Sequence, residues 1–250
     1  MIATAMSKID PKLLTYEGCD LEAMSQAPKY YRWLISIIQP YFGDTVVEVG
    51  AGSGSFSKQL LAIKPKKAIF IEPTKNMFRL LKENVAKNKS KSTQAATYNA
   101  YLPDLTKQLR AEKPDTFIYI NVFEHIEDDL KELKILKDLL SQDGHVIIFV
   151  PAHQALFSKF DESIGHYRRY SKKTVSKLAN DAGLEIVKVR YMDMIGTVPW
   201  WISFKVLKRM QLTPKLVGIY DRFFIPVIRA VETVLPTTFG KNILLVARKK

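Results

Sequence analysis

An α/β fold with a mostly parallel sheet is what this sequence predicts, and three observations carry the prediction. Short apolar runs recur along the chain and alternate with stretches of helical periodicity. The runs at 46–49, 68–71, 95–98, 116–120 and 145–150 are almost continuously apolar, as strands covered on both faces must be. The first run leads into Glu48-Val49-Gly50-Ala51-Gly52-Ser53-Gly54-Ser55-Phe56 and then into the helical pattern Phe56-Ser57-Lys58-Gln59-Leu60-Leu61. A doubly wound sheet opens its nucleotide pocket with this succession of strand, tight turn and helix.

The elements follow in order. Residues 1–22 read as a flexible segment, and one domain is expected from 23 to 250. A helix over 23–39 carries Tyr30, Trp33, Leu34, Ile37 and Ile38 on one side, and Pro40 and Gly43 end it. Strand 46–49 leads through the glycine turn to the helix beginning near Phe56. After strand 68–71, Thr74 is placed to cap a helix whose Met77, Leu80, Leu81 and Val85 are expected to pack on the sheet. Strands 95–98 and 116–120 come next. A helix from Asp129 to Leu140 stops before Asp143-Gly144, and strand 145–150 follows. Ser171 caps a helix that ends at Gly183. A strand near 185–192, a divergent helical region and a last strand at 242–246 complete the chain.

The glycine turn points to a nucleotide-bearing ligand. Glycine tolerates positive φ and lets a ligand approach the backbone, and the helix start behind it presents free N–H groups. Dinucleotide enzymes space these glycines as G-x-G-x-x-G. Here they fall at Gly50, Gly52 and Gly54, and Glu48 stands two places before the first. Eighteen positions after Gly54 a second strand ends on Glu72, where a carboxylate can accept both hydroxyls of a ribose.

The E-x-G-x-G-x-G pattern resembles motif I of the class I S-adenosylmethionine (SAM) methyltransferases. That resemblance implies a Rossmann-like, seven-stranded, mostly parallel sheet with helices on both faces and the last strand inserted by a hairpin. It implies SAM as cofactor, held by Glu48, Gly50, Gly52, Gly54 and Glu72. Many such enzymes bind adenine with an acid after the third strand; here Asn99 stands in that stretch, and Tyr101 is placed to stack near the ring.

The fourth strand ends Asn121-Val122-Phe123-Glu124-His125-Ile126-Glu127-Asp128-Asp129, similar to the "D-V-L-E-H-I-x-D-D" signature of a group that includes the ubiquinone-biosynthesis O-methyltransferases. Asn121 replaces the usual acid and is expected beside the cofactor. Some of those enzymes bind a divalent metal with Glu-x-x-Glu-His; Asn121, Glu124 and His125 retain two of the three groups, and no metal is expected. The fifth strand leads through His153 to Asp161-Glu162-Ser163-Ile164-Gly165-His166-Tyr167-Arg168-Arg169-Tyr170-Ser171. This loop is long for an α/β connection. It resembles the "D-x-x-x-G-H-Y-R-R-Y-[ST]" signature of a bacterial methyltransferase subgroup whose genes often accompany glycosyltransferases.

Methyl transfer requires a positioned acceptor and a group that takes its proton. Histidine suits the second task near neutral pH, so His166, His153 and His125 are the candidate bases. Tyr167, Arg168, Arg169 and Tyr170 are the candidate acceptor-binding groups. The arginines match phosphate or carboxylate, or pin the loop to Asp161 or Glu162.

The net charge is +13, and from Leu184 onward twelve Lys and Arg face four Asp and Glu. This balance suits an acidic partner. Residues 194–240 read as a basic amphipathic helical insertion, a lid, a dimer contact or a membrane-interface element, with Trp200, Phe204 and Leu207 on one helix face. A small or lipid-linked acceptor is therefore expected, with methylation at oxygen and peripheral membrane contact. An RNA methyltransferase is the second enzyme reading, prompted by the charge, but nucleic acid is disfavoured: no N/D-P-P-Y tetrad follows the fourth strand, and no core cysteine is present for a covalent pyrimidine mechanism. A SAM-binding protein without catalysis is the alternative from another class, kept open by Asn99 and Asn121. The single cysteine, Cys19, excludes an internal disulfide and suits a reducing, cytoplasmic compartment, with a peripheral position at the inner membrane face. No signal peptide or transmembrane helix is expected. The sequence carries no signature of an oligomeric state.

Overall fold

The computed structural model describes Tyr16, Gly18 and residues 20–250. Most of the expected flexible segment, and Cys19, lie outside the described residues. The first described helix, α1 (Asp20–Met24), begins within the span expected to be flexible.

The helix expected over 23–39 is two helices. A break at 25–27 separates α1 from α2 (Pro28–Ile38), with Pro28 at the first helical position of α2. Proline has no N–H to continue an upstream helix, and its fixed φ suits a helix start. The glycine turn joins β1 (Thr45–Val49) to α3 (Ser55–Ala62); β2 (Lys67–Ile71), α4 (Lys75–Asn88) and β3 (Gln94–Tyr98) follow. Then come α5 (Thr106–Glu112), β4 (Thr116–Ile120), α6 (Asp129–Leu139), β5 (His145–Pro151), the short α7 (Lys159–Ser163), α8 (Lys172–Asp181) and β6 (Glu185–Met192). A helical excursion of α9 (Thr197–Trp200), α10 (Pro214–Ile219) and α11 (Ile225–Val234) leads to β7 (Asn242–Arg248).

The strands form one sheet in the order β3-β2-β1-β4-β5-β7-β6. β1 to β5 are parallel, and β7 runs antiparallel between β5 and β6. This is the seven-stranded order that the resemblance implies. The chain reverses its winding at β1, which lies between β2 and β4, and the carboxyl ends of these strands therefore open a crevice. β1 is buried along its whole length. One apolar core covers each face, with Phe117, Tyr119 and Leu136 in one and Leu34, Phe70 and Phe149 in the other.

Two finer expectations are corrected. Leu81 and Val85 of α4 are buried, but Leu80 is 36% exposed, one step round the helix from the core side. The face expected to join Trp200, Phe204 and Leu207 does not form: Phe204 is buried, while Leu207 is 56% exposed. Residues Trp201–Val206 form a π-helical turn, whose wider winding moves later side chains off the α-helical spacing.

Candidate functional site

The turn after β1 is built for close approach. Gly50, Gly52 and Gly54 have φ of 70°, 54° and 86°. A Cβ on Gly50 would stand 2.5 Å from Val122 Cγ2, so the backbone of this turn lies directly against the segment after β4. Glu72, buried at the tip of β2, reaches back to the turn: its Oε2 accepts from Gly52 N at 2.8 Å, and its Oε1 accepts from Thr74 N and Oγ1. Burial raises the Glu72 carboxyl, opposed by these three hydrogen bonds. Each carboxylate oxygen keeps acceptor capacity beyond these bonds. Glu48 lies beneath the turn and accepts from Ser57 Oγ of α3 at 2.7 Å. Burial pushes its carboxyl up to about 8, against the pull of that hydrogen bond. Asn99, past the end of β3, donates its amide N–H groups to the Glu72 and Pro73 carbonyls at 2.9 Å, which directs Oδ1 elsewhere. Asn121 has φ 54°, and its N–H donates to Phe149 O, locking the exit of β4 to β5.

The long loop after β5 folds back over the β4 exit. Tyr167 N donates to Glu124 O at 2.8 Å. Tyr170 OH donates to Asp129 Oδ2 and to Phe123 O, and Arg168 bonds Glu127 O and pairs with Asp129. The two signature segments thereby become one wall. Arg169 is buried and donates from Nε to Asp161 Oδ1 at 2.8 Å. It thus pins the loop to Asp161, and Arg168 is pinned to Asp129, a partner the sequence did not indicate. The Tyr167 hydroxyl has no hydrogen-bond partner, and its ring lies 5.6 Å from the Arg168 guanidinium.

The docking assembles a cluster that the sequence did not bring together. His166 Nδ1 lies 3.0 Å from Asp161 Oδ1. Its Nε2 faces Glu124 Oε1 at 3.8 Å, too far for a hydrogen bond. Glu124 is fully buried, and neither carboxylate oxygen has a hydrogen-bond partner. Burial pushes its carboxyl up to about 7, opposed by the charge of His166. Burial alone would raise Asp161, but the His166 hydrogen bond and the Arg169 charge outweigh it and hold that carboxyl low. The His125 ring meets His166 edge-on at 4.6 Å, and burial together with His166 pulls it down to about 3. An imidazole held neutral in this way is a poor proton acceptor. His153 is apart from the trio, stacked on Tyr191 of β6 at 4.9 Å, and burial lowers it.

The donor atoms of Glu124, His125 and His166 all lie within 4.8 Å of one another, the spread of a loose cation site. An acid–imidazole pair requires the same approach. Glu124 was absent from the expected site residues, although the Glu-His pair at the end of β4 was the signal for it. Asp161 is expected only as a pin for the loop; the structure adds its contact with His166.

A turn of positive-φ glycines, with a carboxylate at the neighbouring strand tip, fits an adenosine-bearing ligand. A family model described as a methyltransferase domain matches residues 23–189. Among solved structures, a SAM-dependent methyltransferase from Archaeoglobus fulgidus superposes with a TM-score of 0.58 at 14% identity, covering 89% of this chain and 94% of its own. A cyclopropane synthase from Mycobacterium tuberculosis gives 0.56 at 13% identity, covering 86% and 84%. Phosphoethanolamine N-methyltransferase 2 from Haemonchus contortus, solved with S-adenosyl-L-methionine, gives 0.53 at 14% identity, covering 90% of this chain and 57% of its own. A comparison with curated proteins gives no significant match.

Proposed function

The chain belongs to a methyltransferase-domain family, and we propose that it is a SAM-dependent enzyme which methylates an oxygen of a small or lipid-linked acceptor, with His166 as base. The glycine turn at Gly50, Gly52 and Gly54 and the Glu72 carboxylate hold SAM, with Glu72 on the ribose hydroxyls. Asn99 Oδ1 accepts from the adenine amino group, and Asn121 and Glu48 shape the pocket from its walls. When bound, SAM supplies a methyl group activated by a sulfonium leaving group.

The chain's own work is to position the acceptor and remove its proton. Asp161 accepts a hydrogen bond from His166 Nδ1–H, which leaves the Nε2 lone pair for the acceptor hydroxyl. As His166 gains the proton, Glu124 stabilises the imidazolium across 3.8 Å. The observation that carries this reading is Glu124 itself, a buried carboxylate with both oxygens unpartnered beside the only imidazole of the trio oriented by an acid. Burial holds His125 neutral, and His153 stacks away from the pair, so both rank below His166. The Tyr167 hydroxyl and the accessible edge of Arg168 contact the acceptor, while Arg169 and Tyr170 hold the loop in place.

The test uses a donor labelled with carbon-13 in the methyl group, incubated with lipid and aqueous extracts. The expected product carries an O-methyl resonance. Label on nitrogen, or on no acceptor, contradicts the reading. On that product, His166→Gln is expected to lower kcat by about 10² to 10⁴ with unchanged SAM affinity. In the parent, kcat/KM is expected to fall as pH drops below about 7, because Glu124 then takes up a proton. In Glu124→Gln the Glu124 contribution to that limb is lost. Full activity in His166→Gln assigns the proton transfer elsewhere.

A further inference from the structure

The excursion between β6 and β7 leaves an apolar surface that the rest of the molecule does not cover. Among the described residues, fifteen of the seventeen exposed large apolar side chains fall between Ile195 and Phe239. Val234 is 81% exposed, Phe223 60% and Trp201 50%. Concentrated apolar exposure of this kind marks an interaction surface.

The charges of the same stretch are sorted by sign. Its two acids are buried and tie it to the body. Asp221 accepts from the Lys29 and Tyr30 N–H groups at the start of α2, and Glu232 accepts from Met194 N and pairs with Arg190. Its six cations, Lys205, Lys208, Arg209, Lys215, Arg222 and Arg229, are all exposed. The outer surface therefore combines large apolar side chains with positive charge alone. A second copy of the chain would bring like charges face to face. Nucleic acid would use the cations but leave Val234 and Phe223 in water. An anionic bilayer satisfies both, with phosphates for the cations and the acyl boundary for the apolar groups.

The location is consistent with function. Met192 at the end of β6 and Asn242 at the start of β7 lie in register with each other and with Pro151 of β5, so the excursion stands at the carboxyl edge of the parallel strands. It touches the acceptor loop there: Lys205 Nζ donates to Phe157 O, and Phe204 packs on Phe160. No helix among the described residues is long and apolar enough to cross a membrane.

We propose that the 194–240 excursion is a docking face for an anionic lipid bilayer, which lays the acceptor loop against the membrane. The face rests on exposure and charge and does not depend on which acceptor is methylated. Its test reads binding rather than turnover. Full-length protein is sedimented with vesicles of phosphatidylcholine alone or mixed with phosphatidylglycerol, at low and high salt. The expected result is retention on the anionic vesicles at low salt, release at high salt, and a blue shift of tryptophan emission that Trp201→Phe removes. Replacing Lys208, Arg209 and Lys215 together with glutamine is expected to lower the partition coefficient on the order of a hundredfold. Unchanged SAM binding by calorimetry shows that the variants are folded. The proposal is overturned by no retention on anionic vesicles, by equal partition of the triple variant, or by preferential capture on single-stranded RNA. Concentration-dependent dimerisation that blue-shifts Trp201 without lipid also overturns it.

Discussion

Glu48 and Glu72 stand at the ends of neighbouring strands and face the same turn, yet their surroundings differ. Glu72 is met by three donors, whereas Glu48 has one hydroxyl and is otherwise desolvated. The consequence is a pH-dependent cost. The Glu48 carboxyl rises from 4.5 to about 8 on folding, so folding favours its protonated form. The associated stability is fully present below pH 4.5 and is lost as pH rises through about 8. Glu48→Gln keeps the shape without the titration. Urea unfolding is expected to show the parent losing stability relative to this variant by about 1.4 kcal/mol per pH unit across that window. Parallel pH profiles for the two proteins contradict the assignment. At this scale the sequence marked Glu48, Glu72 and His166 by their places at strand tips or in a signature. It marked Glu124 only through the Glu-His pair at the end of β4; its lack of partners depends on a loop forty-two positions later closing over it.

The elements were legible where periodicity alone decides them. β1, β2, β4 and β5 lie where apolar runs were read, because strands buried on both faces have little choice of residue; β3 and β6, at the sheet edges, are only partly buried. Helical irregularities were not legible. The break before Pro28 follows from a proline that apolar periodicity alone overlooks, and the π-helical turn at Trp201–Val206 leaves no mark in the apolar spacing. Gly50 and Val122 form a tight link between the glycine turn and the β4 exit. Gly50→Ala is expected to destabilise the protein by about 1–3 kcal/mol through overpacking, with about 1–2 kcal/mol more from the left-handed φ. Adding Val122→Ala is expected to recover the steric part and leave the backbone part. Urea denaturation of the two single variants and the double variant measures the coupling; strict additivity would mean that the turn and the β4 exit do not touch as described.

In the whole molecule, strand order was an implication of the family resemblance, since periodicity does not order strands. The structure bears it out, with β7 antiparallel between β5 and β6. Net charge pointed to an acidic partner, but only the fold shows that the excursion turns its acids inward and its cations outward. Both features converge on the carboxyl edge of the sheet, where the cofactor turn, the acid–imidazole pair and the apolar basic face adjoin. The proposed cofactor pocket is the part on which the others depend. Calorimetric titration of the parent and of Glu72→Ala with SAM, and of the parent with NADH, tests it most directly. The account predicts micromolar SAM binding, no NADH binding, and about 30-fold or greater weakening in the variant, as expected for loss of charge-assisted bonds to a ribose. SAM binding that is absent in the parent, or undiminished in Glu72→Ala, would contradict it.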